Sequence, residues 1–121
     1  MSAIAPWLSV RDAAAAVAFY RRAFGATTGE LAEGGGVLQV GELFVGGARF
    51  WVQHDPELPA GHDPGRAVRM ILTVTDPDAA FSRALDAGAV EIAGVHDEGA
   101  WRTGRLVDPF GHQWELARLT P

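Results

Sequence analysis

Alternating apolar and polar positions near the C-terminus predict a β-hairpin. Two apolar segments, residues 105–107 and 113–119, flank a turn at 108–111 with the sequence D-P-F-G. Pro109 presets the φ angle at the second position of a type I turn, and Gly111 can adopt the left-handed conformation that closes a hairpin with a bulge. These residues therefore predict two antiparallel strands joined by a short connection.

The second strand of this hairpin carries a single carboxylate, that of Glu115. Successive side chains of a strand point to opposite faces, so Glu115 lies on the face opposite Trp114 and Leu116. Trp114 and Leu116 are typical of a core face. The other face therefore carries an acid that needs a partner or a ligand.

Two segments with helical periodicity are each preceded by an aspartate and followed by a glycine. Residues 13–24 and 77–87 are the predicted helices, with Asp12 and Asp76 as their N-caps. The glycine after each segment is the expected stop, because glycine readily adopts the left-handed conformation at a helix end.

Short apolar runs bounded by glycine, proline and polar residues predict the strands. With the hairpin included, they are residues 7–10, 27–31, 37–45, 48–54, 69–74, 89–92, 105–107 and 113–119. Residues 55–65 contain three prolines and two glycines and are predicted to form a loop or linker. Residues 94–104 are predicted to form a polar loop around Trp101.

An internal repeat organises these elements. The segment W-L-S-V-R-D, which ends at Asp12, aligns with I-L-T-V-T-D, which ends at Asp76, at an offset of 64 residues (76 − 12). Each half then reads strand, helix and three strands. We therefore predict two βαβββ modules, the first at about 3–55 and the second at about 67–119, joined by a linker at about 55–66.

Composition bounds the class of protein. The 121 residues suffice for one domain, and the formal net charge of -5 argues against a nucleic-acid groove or an anionic membrane surface. The absence of cysteine excludes disulfides and thiolate metal sites. No segment has the length of a transmembrane helix or the pattern of a signal peptide, so we expect a single cytoplasmic domain over 1–121.

Three motifs give the chain a family resemblance. They are V-R-D-A-A-A-A-V-A-F-Y-R-R-A-F-G-A, V-T-D-P-D-A-A-F-S-R-A-L-D-A-G-A and D-P-F-G-H-Q-W-E-L. With the repeat, they resemble the vicinal oxygen chelate (VOC) superfamily over essentially the whole chain, most closely its PhnB-like, glyoxalase/bleomycin-resistance branch. This resemblance implies an α+β fold in which paired βαβββ modules form a curled mixed sheet around a cavity, usually completed in a homodimer.

The resemblance also implies where a catalytic metal ion would be held. Catalytic members use His, Glu or Gln from four strands, and the positions seven residues before the capping aspartates are Ala5 and Arg69. The last-strand ligand matches Glu115, and the remaining one falls near Trp51 or Gln53. A catalytic ion needs about three protein ligands, alanine cannot coordinate, and arginine repels a cation. We therefore predict no cofactor, with a divalent metal as the disfavoured alternative.

The same positions suggest what replaces the metal. We predict that Arg69 and Glu115 form an ion pair, which either only neutralises two charges or lets the guanidinium bind an anionic or carbonyl group. Trp7 and Trp51 are predicted to form the floor of a cavity for a flat ligand, with Trp101 as a lid.

The four histidines add little. For His54, His62 and His96 we expect surface or turn positions without a chemical role. His112 belongs to the turn motif and is expected to brace the hairpin, which leaves it, with Glu115, a weak candidate for acid–base work.

The function favoured by the sequence is metal-independent binding of an aromatic or anionic small molecule, of the drug-sequestering bleomycin-resistance type. The alternative is an enzyme, either a glyoxalase-like lyase or isomerase with an unusual metal site, or a metal-free catalyst. A third possibility is that no small-molecule role survives. The scaffold alone does not decide among these, because such scaffolds host many functions.

Overall fold

The computed structural model describes residues 2–59 and 68–119, in two compact units that divide near residue 60. The first unit contains β1 (Trp7–Val10), α1 (Ala13–Phe24), β2 (Thr27–Gly34), β3 (Val37–Val45) and β4 (Ala48–His54). The second unit contains β5 (Met70–Thr73), α2 (Pro77–Ala87), β6 (Val90–Glu98), β7 (Trp101–Val107) and β8 (Gln113–Leu119).

Each unit has one four-stranded mixed sheet. The strand order is β1-β4-β3-β2 in the first sheet and β5-β8-β7-β6 in the second. The first strand of each unit pairs in parallel with the last, and the other pairings are antiparallel. The predicted α+β class with two βαβββ modules is confirmed.

Both helices begin and end where the sequence predicted. The carboxylates of Asp12 and Asp76 accept hydrogen bonds from the backbone N–H three residues later, at 3.0 and 3.1 Å. Gly25 ends α1 with a φ of 68°, a left-handed conformation that other residues adopt at a cost. Neither of these helices, the two in the described ranges, is long and apolar enough to cross a membrane.

The first unit packs α1 against one face of its sheet. Tyr20 is fully buried and meets Phe50 of β4 edge to face, with ring centroids 5.1 Å apart. His54, predicted to have no chemical role, supports this packing: its Nδ1 accepts a hydrogen bond from the Ala13 N–H, at 3.0 Å, at the start of α1.

The second unit packs α2 against its sheet through Phe81. Gly104 of β7 leaves room for this ring, because a Cβ at residue 104 would lie 3.0 Å from two of the Phe81 ring carbons. Trp114 and Leu116 of β8 are buried on the same face, as predicted. In each unit we call the opposite face of the sheet, away from its own helix, the distal face.

The carboxylate of Asp108 organises the predicted hairpin turn. It is buried and accepts three hydrogen bonds, from the N–H groups of Phe110 and His112 at 2.9 and 3.0 Å and from the Trp114 indole at 2.9 Å. Gly111 has a φ of 94°, which agrees with the predicted turn. His112 contributes to the brace through its backbone, while the organising side chain is that of Asp108.

The prediction of a polar loop over 94–104 was wrong. β6 continues to Glu98 and β7 begins at Trp101, so the segment is a hairpin with its turn at Gly99 and Ala100. Its polar side chains misled the sequence interpretation because they bond to one another and to α2 instead of facing an apolar layer. In the predicted linker, residues 55–59 contain no helix or strand, whereas 60–65, with His62, lie outside the described residues.

Replacing Asp108 by alanine tests the turn. The substitution leaves three donors in a partly buried turn without their acceptor, so we expect the free energy of unfolding to fall by about 2–4 kcal/mol. Urea denaturation measures this loss. Asp86→Ala, at an exposed position of α2, is the matched control and should stay within about 0.5 kcal/mol of the unmodified protein. Equal stability of the two variants would contradict the role given to Asp108.

Candidate ligand-binding site

A pocket of about 360 Å³ lies on the distal face of the second sheet. Its walls combine two acids, one arginine, one hydroxyl and an apolar surface. The lining residues are Arg69, Ile71, Glu98, Trp101, Thr103, Glu115 and Ala117.

Strand register explains why these residues share one face. Directly paired residues of neighbouring strands point to the same side of a sheet. Ile71 pairs with Glu115 across β5 and β8, Thr103 pairs with Ala117 across β7 and β8, and Glu98 pairs with Trp101 across β6 and β7. The pocket therefore crosses all four strands of the second sheet.

Arg69 and Glu115 form the predicted ion pair. The Nε–H of Arg69 donates to Oε1 of Glu115 at 2.9 Å. The side chain of Glu115 is 16% exposed and that of Arg69 is 43% exposed, so the carboxylate is the more deeply held partner. The prediction of this pair, made from the family resemblance, is confirmed.

Thr103 is a third member of this cluster and was missed by the sequence analysis. Its hydroxyl donates to Oε2 of Glu115 at 2.6 Å, and the residue is only 3% exposed. Both oxygens of Glu115 therefore already accept a hydrogen bond. The signal that would have found Thr103 is strand alternation along β7, which the erroneous loop assignment concealed.

Arg69 keeps donors available for a ligand. Its bond to Glu115 uses only Nε, and no acceptor among the described residues takes a hydrogen bond from its two terminal nitrogens. These nitrogens form a planar fork that matches the two oxygens of a carboxylate or phosphate. The cluster thus holds the guanidinium in place at one edge and leaves its other edge to the pocket.

Strand register also resolves which residue of β4 stands at the fourth expected ligand position. Trp7 pairs with Trp51, and Ile71 pairs with Glu115. Trp7 and Ile71 are 64 residues apart, the repeat offset, so Trp51 is the counterpart of Glu115. Gln53 lies two residues further along β4, on the same face, and accepts a hydrogen bond from the Trp7 indole, Nε1 to Oε1, at 2.8 Å.

These residues do not fit a divalent ion. The side chains of Ala5 and Trp51 have no atom that coordinates a metal ion, and the guanidinium of Arg69 stays protonated and positively charged. Glu115 is the one carboxylate among these four positions, and the guanidinium that it binds would repel a cation. Within residues 2–59 and 68–119, no group of three or more His, Asp or Glu side chains is arranged to hold a metal ion.

His96 and Glu98 are neighbours on β6 and form an ion pair when His96 is protonated. The Nδ1 of His96 lies 2.7 Å from the carbonyl oxygen of Gly94, and Nε2 lies 3.2 Å from Oε2 of Glu98. The Gly94 carbonyl, followed by the Glu98 carboxylate, raises the pKa of His96 above its ordinary value. His96 lies within β6, beside the pocket, and does not open a loop as the sequence had predicted.

Arg102 points to the other face of β7 and ties the sheet to α2. Its Nε and one terminal nitrogen donate to the two oxygens of Asp78, at 2.7 and 2.8 Å, and its other terminal nitrogen donates to Asp97, at 3.1 Å. The hydrogen bond from Arg102 lowers the pKa of the Asp78 carboxyl. This network is structural and does not reach the pocket lining.

The distal face of the first sheet carries an aromatic row. Trp7 is half exposed, and its ring centroid lies 6.0 Å from that of Trp51. The guanidinium carbon of Arg49 lies 5.8 Å from the centroid of Trp51 and 5.6 Å from that of Phe44. The cation of Arg49 thus contacts the faces of two of the rings.

Glu42 orients Arg49 in this row and was also missed from sequence. Oε2 of Glu42 lies 2.9 Å from Nε of Arg49, and Oε1 accepts from the backbone N–H of Glu30 at 2.9 Å. Glu42 is buried, and a Cβ at Gly29 would overlap its carboxylate. The bulge between β2 and β3 and the glycine together make room for this acid.

The residues predicted to contact a ligand are divided between the two units. Arg69, Glu115 and Trp101 line one pocket, and Trp7 and Trp51 lie on the distal face of the first sheet. The prediction that Trp101 lies in a loop was wrong, since it is the first residue of β7, and its role as a lid stays a prediction. His112 is not among the residues that line the pocket.

Comparison with known proteins agrees with this architecture. Residues 7–117 match the glyoxalase-like domain family. An uncharacterised protein of Mycobacterium bovis is 38% identical over an alignment of 126 positions, which covers 96% of this chain and 82% of that protein. The crystal structure of TioX from Micromonospora sp. ML1 is 25% identical with a TM-score of 0.76, covering 99% of this chain and 98% of TioX.

A more distant structure shares the fold alone. It is a glyoxalase/bleomycin resistance protein/dioxygenase family enzyme from Burkholderia phytofirmans PsJN. It is 19% identical with a TM-score of 0.77, covering 93% of this chain and 94% of that one. The family match spans the strands and helices of both units, and the folds agree over nearly the whole chain. This protein therefore belongs to the glyoxalase-like domain family of the VOC superfamily.

Proposed function

We propose that this protein binds small molecules without a metal ion, in the manner that the bleomycin-resistance members of its superfamily sequester drugs, and that Arg69 is the principal ligand contact. The observation that carries the proposal is the Arg69–Glu115–Thr103 cluster, in which the guanidinium is fixed by Nε while its terminal nitrogens stay available. We further propose that the protein acts in the cytoplasm as a homodimer.

The charge at Arg69 supports an anionic or carbonyl group on the ligand. A guanidinium held at one edge loses little side-chain freedom when a ligand binds the other edge, so more of the interaction energy is retained in the affinity. Glu115 neutralises part of the charge, but the fork still supplies directed hydrogen bonds.

The apolar part of the pocket supports a planar body for the ligand. Ile71 is exposed, and Trp101 is 43% exposed, on the same face as Arg69. Aromatic side chains that remain accessible beside a fixed polar group are typical of small-molecule sites. On the first unit, Trp7 and Trp51 offer a further surface on which a flat ligand can stack.

The competing hypothesis is an enzyme, a glyoxalase-like lyase or isomerase or a metal-free catalyst with Glu115 or His112 as base. Glu115 is poorly placed for this role because both of its oxygens already accept hydrogen bonds. Proton transfer to either oxygen would disrupt the cluster that holds Arg69. Binding without chemistry therefore fits the donor set better.

Substitution of Arg69 tests the proposal. In a thermal-shift screen of planar aromatic carboxylates and carbonyl compounds, we expect at least one to raise the melting temperature. Arg69→Gln should weaken its binding by about 10–100-fold, the effect of losing a charge-assisted hydrogen-bonded pair. Arg11→Gln, at an exposed arginine of the first unit, is the control and should bind normally. Unchanged affinity in Arg69→Gln would contradict the proposal.

Divalent ions provide a second test. Because the donor set does not suit a metal, ligand affinity and melting temperature should be the same after chelation and after addition of Zn²⁺, Mn²⁺, Ni²⁺ or Mg²⁺. Isothermal titration calorimetry and thermal denaturation measure these quantities. A saturable metal-dependent rise in melting temperature that Glu115→Ala abolishes would show instead that Glu115 is a working metal ligand.

A further inference from the structure

The pocket of the second unit has opposite charges on opposite strands. Arg69 precedes β5, at one edge of the sheet, and Glu98 ends β6, at the other edge. Three strand spacings separate these edges, which is about 14 Å across the sheet. Ile71, Ala117 and Trp101 line the surface between the two charges.

Glu98 is the accessible anion of this pocket. Its side chain is 74% exposed, whereas Glu115 is mostly buried and has both oxygens engaged. The register partner of Glu98 is Trp101, whose ring stays accessible on the same face. A carboxylate beside an exposed indole attracts a cationic group twice, by charge and by the negative face of the ring.

His96 can donate to Gly94 and Glu98 at the same time only while both of its ring nitrogens carry a proton. Its two neighbours, the Gly94 carbonyl and the Glu98 carboxylate, are both acceptors. A neutral imidazole has one N–H, and the 2.7 Å contact with Gly94 is the shorter of the two. Loss of a proton therefore releases Glu98, and the raised pKa of His96 agrees with the doubly bonded, charged form.

The neighbouring charged groups next to His96 take part in other ion pairs. Asp97 follows it on β6 and is bonded to Arg102 of β7, which also binds Asp78 of α2. Across β7, the register partner of His96 is the uncharged Thr103. Among the described residues, Glu98 is thus the partner whose state changes when His96 titrates.

We propose that the pocket selects a dipolar ligand, whose anionic group binds Arg69 and whose ammonium group binds between Glu98 and Trp101. This inference rests on the proposed function, since it uses the same pocket and the same arginine. Beyond the proposed function, the inference assigns a cationic group to the ligand and makes Glu98 a specificity-determining residue. Protonated His96 competes with the ammonium group for Glu98.

Three probes that share one planar body separate the two charges. They are biphenyl-4-carboxylate, biphenyl-4-ylmethylamine and 4′-(aminomethyl)biphenyl-4-carboxylate, each titrated calorimetrically into the intact protein. We expect the bifunctional probe to bind at least about tenfold more tightly than either monofunctional probe. Glu98→Gln should reduce its affinity to that of the carboxylate and leave the carboxylate itself unchanged. Glu91→Gln, at an exposed acid of the same strand that does not line the pocket, is the control.

The outcomes separate this inference from the proposed function. If Arg69→Gln abolishes carboxylate binding but the amine adds no affinity, and Glu98→Gln changes nothing, the dipolar assignment fails while the proposed function stands. Binding that needs Glu98 but not Arg69 overturns both, as does the absence of binding by all three probes at millimolar concentration.

The pH dependence tests the competition by His96. The affinity ratio of the bifunctional probe to the carboxylate should rise as the pH is raised through and above 6.5, the ordinary pKa of histidine, because the pKa of His96 is raised and loss of its proton frees Glu98 while an aliphatic ammonium stays charged. His96→Ala should keep the ratio high and flat. A flat ratio in the unmodified protein, or a rise that persists in His96→Ala, contradicts the competition.

Discussion

The carboxylate of Glu115 receives a hydrogen bond on each oxygen, and the candidate site depends on these two bonds. The opposite face of β8 is committed to the core by Trp114 and Leu116, so Glu115 must face the pocket. A largely buried carboxylate without partners would be costly. Removal of Arg69 or Thr103 would leave one oxygen of Glu115 without its hydrogen bond. Thr103 and Arg69 remove that cost, and in doing so they fix the guanidinium on which ligand binding is proposed to rest.

An arginine at this position changes what the site can do. A divalent ion has exchangeable coordination positions through which it polarises a substrate oxygen. A guanidinium supplies a positive charge and directed hydrogen bonds, but it has no coordination position to exchange. On the proposed function, Arg69 recognises a polar group of the ligand, while the side chains at positions 5, 51 and 69 offer no ligand for a metal ion.

Features that depend on local chemistry or on the repeat were predictable from sequence. The helix caps Asp12 and Asp76 and the D-P-F-G turn follow from the preferences of single residues, and the structure has them where expected. The ion pair was predictable because the family resemblance implies that the positions of Arg69 and Glu115 contribute to one site, and the two side chains carry opposite charges. Features that depend on pairing between strands were not. Thr103 and the β6–β7 hairpin were missed because register decides which polar residues meet, and a run rich in acids and glycines resembles a loop.

A crystal structure of the protein grown with an excess of Mn²⁺ or Zn²⁺, with anomalous data collected near the metal edge, would show directly whether Arg69 stands where a metal ion would bind. We expect Nε of Arg69 to stay within hydrogen-bonding distance of Oε1 of Glu115 and the Thr103 hydroxyl to stay on Oε2, with no anomalous peak at the cluster. A metal peak on Glu115, with Arg69 displaced from it, would contradict the central claim that the arginine has taken the place of the ion.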